Sequence, residues 1–417
     1  MRVGLGLLEF GIFLYLFYKA SQKSENIINI LIFNYVANVF NTKYFGSIPW
    51  LNVGVSLYPS DFVVITLLFF FIARRIPIRK NIPTLSIMIF LMLSLFSAIR
   101  GIMAFGLSSE FFSDLRTYLY FGITVLYFIS LRTVFDWKKI ERKLDTTFTV
   151  IALHTAILLV FHYAGIRVGF YADDRPLVAD LAIPFVMYIA FRWYRDILLS
   201  KRGCLSIVTF AMTIILILNR YNTTWMALIG AIVALVLFRR IDNNDKKSYK
   251  FGLQIIAVVL IGVIVFPTVS GTSIFQELSS NFDKFDTTKE TSFTTRIELW
   301  TAIMATYVGV YALIGYPFGN GYRVIWNGTA WKYTPHNGYI EMAGRMGWIG
   351  VGAIVLLLIW TFCIAFKRHK VLPIMMVMIM IIYWVAYSIT LEQGVVLGMC
   401  IGYLLNGGTG NEYSDMG

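Results

Sequence analysis

Apolar runs long enough to cross a bilayer recur from the first residues of this chain to the last, and that repetition constrains the fold more than any motif. With boundaries good to a few residues, they fall at roughly 4–18, 27–40, 61–73, 84–104, 115–131, 147–165, 177–193, 205–219, 222–238, 251–267, 338–366, 371–388 and 391–405. Hydrocarbon offers the backbone no hydrogen-bonding partner, so runs of this length and spacing fold as helices. Of 417 residues, 58% are hydrophobic and 14% charged, where a soluble domain carries about 25% charged residues. That excludes a soluble enzyme on one anchor, a disordered chain and a secreted disulfide scaffold. The expected architecture is an all-α polytopic membrane protein of twelve or thirteen spans, a single transmembrane domain over residues 1–405 with a disordered tail at 406–417. The first two runs are short, and Glu9 lies inside the first, so a tilted or partly inserted hairpin is the alternative to two full crossings there.

The net charge of +13 follows from topology. Basic residues cluster in alternate connections: Arg74, Arg75, Arg79 and Lys80; Arg132, Lys138, Lys139, Arg142 and Lys143; Arg192, Arg195, Lys201 and Arg202; Arg239, Arg240, Lys246, Lys247 and Lys250; Lys367, Arg368 and Lys370. By the positive-inside rule these connections are cytoplasmic and the intervening ones external. No nucleic-acid partner is needed to explain the charge. The three cysteines and four histidines show no metal-ligand spacing, and neither a metal site nor a cofactor is expected. No internal repeat or recurring broken helix is visible, which counts against a secondary transporter.

One connection breaks the regular spacing. It runs from Pro267 to Asn337, on the external side by charge alternation, and contains Trp300, Trp326, Trp331, several tyrosines, and glycine turns at Gly315, Gly319 and Gly321. Connections this long are functional or disordered, and the aromatic and glycine content predicts an ordered loop over 268–336. Within it the uncharged stretch Leu299–Gly315 is expected to form a helix lying at the membrane boundary rather than a further crossing, which would reverse every later basic cluster.

A reaction on the external face has no ATP and no cytosolic nucleotide sugar, so its energy must arrive in the substrate. A lipid pyrophosphate-linked glycan is such a substrate. It calls for cations on the pyrophosphate, a role suited to the planar arginine fork, and for a base at the acceptor hydroxyl, suited to histidine. Arg220 lies in the tight connection Asn219-Arg220-Tyr221-Asn222, Arg296 opens Arg-Ile-Glu-Leu-Trp, and His336 lies in Pro335-His336-Asn337-Gly338-Tyr339 where the loop re-enters the membrane. Each has a plainer reading: interfacial snorkelling for Arg220, a local pair with Glu298 for Arg296, a structural loop histidine for His336. Asp173, Asp174 and Arg175 either bind sugar hydroxyls or form a solvated loop; Arg116, with Arg100 and Asp114, either adds cationic character to a lipid phosphate site or anchors an interface; Arg323 is a further cation of the long loop. Glu341 and Arg345 have the spacing of a same-face ion pair, and Gly344, Gly347 and Gly350 that of a helical small-residue stripe.

The run PHNGYIEMAGRMGWIG resembles the His-Asn segment of the bacterial O-antigen polymerase and ligase superfamily. In the same order, LNRYNTTWMALIGAIVALVLF is similar to that family's Ser-Arg span start, and RIELWTAIMATYVGVYALIGYPFGNGY to its Arg-x-x-x-Trp helix and glycine turn. The likeness covers Leu218 to Leu358. The sequence departs from the pattern at Asn219, where serine is usual, at Tyr221, and at Arg345, where an acidic residue is common.

The resemblance implies a GT-C-like membrane glycosyltransferase, inverting and metal-independent, in the bacterial inner membrane with its active site facing the periplasm. It implies that Arg220 and Arg296 bind the pyrophosphate of an undecaprenyl-linked oligosaccharide, that His336 lies at the acceptor hydroxyl, and that Asn337 orients the loop on the substrate side. Arg116, Arg323, Asp173 and Arg175 are carried as substrate-binding candidates. Partners would be the lipid-linked glycan, membrane lipids and a chain-length regulator protein. A polymerase joining repeat units and a ligase transferring glycan to the lipid A core share this chemistry. A lipid-glycan flippase is the rival from another class.

Overall fold

The computed structural model describes residues 2–52, 55–131, 137–166, 168, 176–200, 204–219, 221–238, 292–326, 329–332 and 335–406. The tenth expected span, 251–267, the first part of the long loop, and the tail beyond 406 lie outside the described residues. The chain is an all-α polytopic membrane protein. In chain order the helices are α1 Arg2–Gln22, α2 Ile27–Tyr44, α3 Pro59–Ala73, α4 Ile82–Phe105, α5 Ser109–Ser130, α6 Trp137–Tyr163, α7 Ala179–Tyr194, α8 Ile207–Leu218 and α9 Asn222–Phe238, then α10 Ser292–Thr306, α11 Val310–Ile314, α12 Gly338–Lys367, α13 Val371–Tyr383 and α14 Leu391–Leu405. Each expected span among the described residues has a helix. By length and apolarity α1, α4, α6 and α12 qualify as crossing segments, and α3, α8, α9, α13 and α14 are shorter apolar helices.

Their boundaries follow local chemistry. Asn81 caps α4 by accepting from Thr84 N, with Pro83 in the first turn; Ser108 caps α5 through Phe111 N; Thr390 and Gln393 form a reciprocal capping box on α14. Two turns into α1, Glu9 is buried, and Asn41 of α2 and the indole of Trp50 donate to it at 2.9 and 2.8 Å. A carboxylate so satisfied sits within a 21-residue helix, which accounts for the acidic residue that made this segment ambiguous.

The main core joins α4, α5, α7, α9, α12, α13 and α14, and a second gathers α1, α2 and α3 against Tyr127, Phe128 and Leu131. Helix α5 packs closely against α14. Gly394, Gly398 and Gly402 recur every fourth residue, and a Cβ on them would meet Thr124 Oγ1 at 2.3 Å, Phe128 Cβ at 2.9 Å and Phe128 O at 2.7 Å. Small residues at this spacing let two membrane helices approach backbone to backbone. The first turns of α6 are tied to α7 by Arg192 to Asp145 at 3.2 Å and, just past the end of α7, by Arg195, which reaches Asp145 at 3.0 Å and also pairs with Glu141.

Helix α12 is broken where the sequence suggested a continuous stripe. Gly347 has φ 66° and ψ −177°, so Gly338–Met346 and the segment from Trp348 onward are separate helical stretches. A Cβ on Gly347 would lie 2.0 Å from Leu313 O, and one on Gly315, itself at φ 73°, 2.2 Å from the Arg345 carbonyl carbon. Gly347 and Gly315 therefore admit the long loop against α12, while Gly350 faces Met346 and Leu93 of α4. The stretch Leu299–Gly315 is likewise two helices, α10 and α11, separated by a turn at Tyr307–Gly309.

Candidate active site

The long loop is stitched onto the end of the bundle at which α12 begins. The Phe318 N–H donates to Ser97 O of α4 at 3.0 Å, Gly319 N–H to Asp114 of α5 at 2.9 Å, and Tyr316 N–H to Gly344 O of α12 at 2.7 Å. Arg100 adds the cation that the end of α11 favours, donating to the carbonyls of Ile314 at 3.2 Å and Gly315 at 2.8 Å. Residues 323–326 and 329–332 form a short antiparallel hairpin, β1 and β2, pairing Arg323 with Lys332. Arg323 is thereby placed in a strand.

His336 sits between two pinned neighbours. The Trp300 indole of α10 donates to Pro335 O at 2.6 Å, and Asn337 caps α12 by accepting from Tyr339 N and Ile340 N, both at 3.1 Å. The next residue, Gly338, donates to the carbonyls of Trp384 at 2.7 Å and Tyr387 at 3.1 Å beyond α13. Between these fixtures His336 adopts φ 49°, a left-handed conformation uncommon outside glycine. Strain of this kind persists where surrounding structure over-determines the backbone. Residue 336 keeps an exposed surface, while the protein packed about its ring and, secondly, the Arg296 charge hold its pKa below the ordinary imidazole value.

Arg296 is half-buried on α10, one turn before Trp300, on the side of the helix that meets the Pro335–His336 segment. Glu298 is exposed and makes no ion pair with Arg296 among the described residues. The structure thus brings Arg296 and His336 together and leaves the arginine charge without its nearest acidic neighbour in sequence.

Arg220, Asp173 and Arg175 lie outside the described residues. The residues that flank Arg220 are described. Asn219 is fully buried and exchanges two hydrogen bonds of 3.0 Å with the backbone of Leu177. Tyr221 is buried with its ring edge-on to Tyr387, centroids 6.4 Å apart. Tyr387 also receives Gly338 N–H. One residue thus links the α8–α9 turn to the start of α12.

Two other expectations change. Arg345 does not pair with Glu341, one turn before it. It reaches Asp114 of α5 at 3.1 Å, and its guanidinium lies 4.2 Å from the centroid of the Tyr322 ring, while the Glu341 carboxylate accepts from Ser388. Packing presents an acid from another helix to a fully buried guanidinium, and that outweighs a local helical pair. Arg116 is held by Asp61, with contacts of 2.8 and 3.0 Å, and by the Ser56 carbonyl, beside the Tyr58 ring. Its charge is balanced within the fold, joining α5 to the entry of α3. The oxygen of Asn337, similarly, serves the helix start. The Asp114–Arg345–Tyr322 cluster was not legible in the sequence; only the departure at Arg345 marked it.

Chemically, the arrangement offers a histidine whose neutral form is favoured, a nearby arginine, and a loop docked on α4, α5 and α12. A family model described as O-antigen ligase matches residues 207–355, from the start of α8 into the spanning part of α12. The match supports the O-antigen polymerase and ligase superfamily and, with it, a multi-pass, glycosyltransferase-like membrane protein acting in surface-polysaccharide assembly. No curated protein matches the chain.

Proposed function

We propose that this chain, carrying the O-antigen ligase domain over residues 207–355, polymerises a surface polysaccharide at the periplasmic face of the bacterial inner membrane. The donor is an oligosaccharide on undecaprenyl pyrophosphate and the acceptor a sugar hydroxyl of a second lipid-linked repeat unit. The acceptor oxygen attacks the anomeric carbon as the bond to the pyrophosphate oxygen breaks, a single displacement that inverts the configuration. His336 takes the hydroxyl proton, and Arg296 and Arg220 hold the departing pyrophosphate. An arginine suits that role because its planar fork matches two phosphate oxygens and its charge persists at any operating pH.

The observation that carries this reading is the convergence of three separated motifs. Trp300, one turn from Arg296, holds Pro335; Gly338 and Tyr221 both meet Tyr387. His336 and the connection containing Arg220 therefore belong to one end of the bundle. Asn337 caps the helix that fixes His336, and Arg323, Asp173 and Arg175 remain candidates for sugar contacts. A chain-length regulator protein is the partner such a polymerase would need in the membrane.

Transfer to the lipid A core is the second reading, favoured by the description of the matching family. The glycan ladder of a deletion strain separates the two. One repeat unit on the core identifies a lost polymerase, and full-length chains stranded on undecaprenyl pyrophosphate a lost ligase. Purified protein with lipid-linked substrate tests catalysis itself: an enzyme makes longer glycan or releases undecaprenyl pyrophosphate without a second compartment, whereas a flippase does neither.

A further inference from the structure

Beside the loop's docking contacts lies a cavity of about 110 Å³, walled by Ile303, Tyr307, Tyr316 and Tyr322, with Gly344 and Arg345 beneath and Asn320 beside it. A single water needs only about 10–15 Å³ of such space, so the cavity is sized for something larger. Three aromatic rings, an amide and a guanidinium line it, and two of its polar groups are incompletely used. The Tyr307 hydroxyl is buried without a hydrogen-bond partner among the described residues. Arg345, 2% exposed, has Asp114 and the Tyr322 ring as its described partners, fewer than the five N–H donors of a guanidinium can serve.

We propose that this cavity is a binding subsite for a neutral pyranose of the oligosaccharide, removed from the reacting bond. Aromatic faces pack against the C–H faces of a sugar ring, while the guanidinium, the amide and the Tyr307 hydroxyl pair with its hydroxyls. Neutrality follows from charge. Arg345 is already balanced by Asp114 at 3.1 Å, and Glu341 lies one turn away, so an anionic sugar would meet carboxylates without an unbalanced cation. Location follows from α10: Arg296, Trp300 and Ile303 recur at helical spacing along one face and Tyr307 follows its last turn, so at about 1.5 Å per residue the cavity begins roughly 10 Å along the helix from Arg296. A sugar held there lies away from the bond being made and serves to select the repeat unit. Assigning that sugar to the transferred glycan rests on the function proposed above; the cavity's chemistry stands on the residues alone.

The test is saturation-transfer NMR on the detergent-solubilised full-length chain with methyl glucopyranoside, methyl galactopyranoside, methyl N-acetylglucosaminide and methyl glucuronide as probes. At least one neutral glycoside is expected to bind and the glucuronide not to. Tyr307→Phe, which removes only the unpartnered hydroxyl, is expected to weaken binding about three- to tenfold. Gly344→Ala would place a methyl 2.3 Å from that hydroxyl and is expected to abolish it. Binding by the glucuronide alone, no binding by any neutral probe up to its solubility, or neutral binding that Tyr307→Phe leaves unchanged overturns the proposal. His336→Ala keeps the readings apart. It is expected to stop chain synthesis and leave glycoside binding intact, so a failure of catalysis and a failure of the subsite register in different assays.

Discussion

His336 combines a strained backbone, two pinned neighbours and a depressed pKa. A general base contributes on the order of 10²-fold or more, so His336→Ala should lose at least that in glycan transfer at matched protein level. Wild-type synthesis by the variant would end the assignment. Because the folded pKa is lowered, chiefly by desolvation and then by Arg296, the neutral base persists at and below the free imidazole value of 6.5. Activity should therefore be present above the depressed pKa and fall as pH drops through it. The acid limb of kcat/KM is expected below 6.5, and Arg296→Gln should move it upward; a limb above 6.5 in the unaltered protein would point to another base. Arg220→Lys should also be damaging, since lysine keeps the charge and loses the fork. His369, exposed beyond the other end of α12, is the control and should tolerate alanine.

Among the elements, the break in α12 is the one on which the loop depends. Gly347→Ala must place a side chain at φ 66° and a Cβ 2.0 Å from Leu313 O. Such a conformation costs about 1–3 kcal/mol for a non-glycine residue even where space is available, and here the loop backbone must also withdraw. The variant should unfold at lower temperature and expose residues 307–322 to protease. Gly352→Ala provides the contrast within the same helix, because nothing lies within 4 Å of the added methyl. It should be neutral or stabilise the helix by up to about 1 kcal/mol. Equal behaviour of the two variants would separate loop docking from the break. Asn337→Ala removes a helix cap and is expected to cost about 1 kcal/mol, with a larger effect on turnover than on stability because His336 is its neighbour.

For the whole molecule, the alternating basic connections predict opposite sides for the two ends of α12. In a background lacking Cys204, Cys363 and Cys400, Glu298→Cys should react with a membrane-impermeant maleimide in intact spheroplasts, and His369→Cys only after permeabilisation. The reverse pattern would place the candidate site in the cytoplasm and remove the lipid pyrophosphate donor from consideration. Apolar run lengths and basic clusters were enough to locate the helices, because hydrocarbon forces each crossing to satisfy its own backbone. His336 and Arg296 were raised as candidates by the resemblance of their motifs, since each alone reads equally well as a structural group; that they lie near one another appears only in the fold. Three things became visible only in the tertiary structure. Arg345 joins Asp114 rather than Glu341, Gly344 and Gly347 seat the loop where α12 breaks, and the repeat Gly394, Gly398 and Gly402 is a stripe along which α14 meets α5. Their common cause is that a buried charge takes whichever partner packing presents, and a glycine's use depends on which backbone lies against it. The local pattern is identical in either case, so sequence by itself determined the spans and their chemistry, while the meeting of distant segments decided what each polar group and each glycine does.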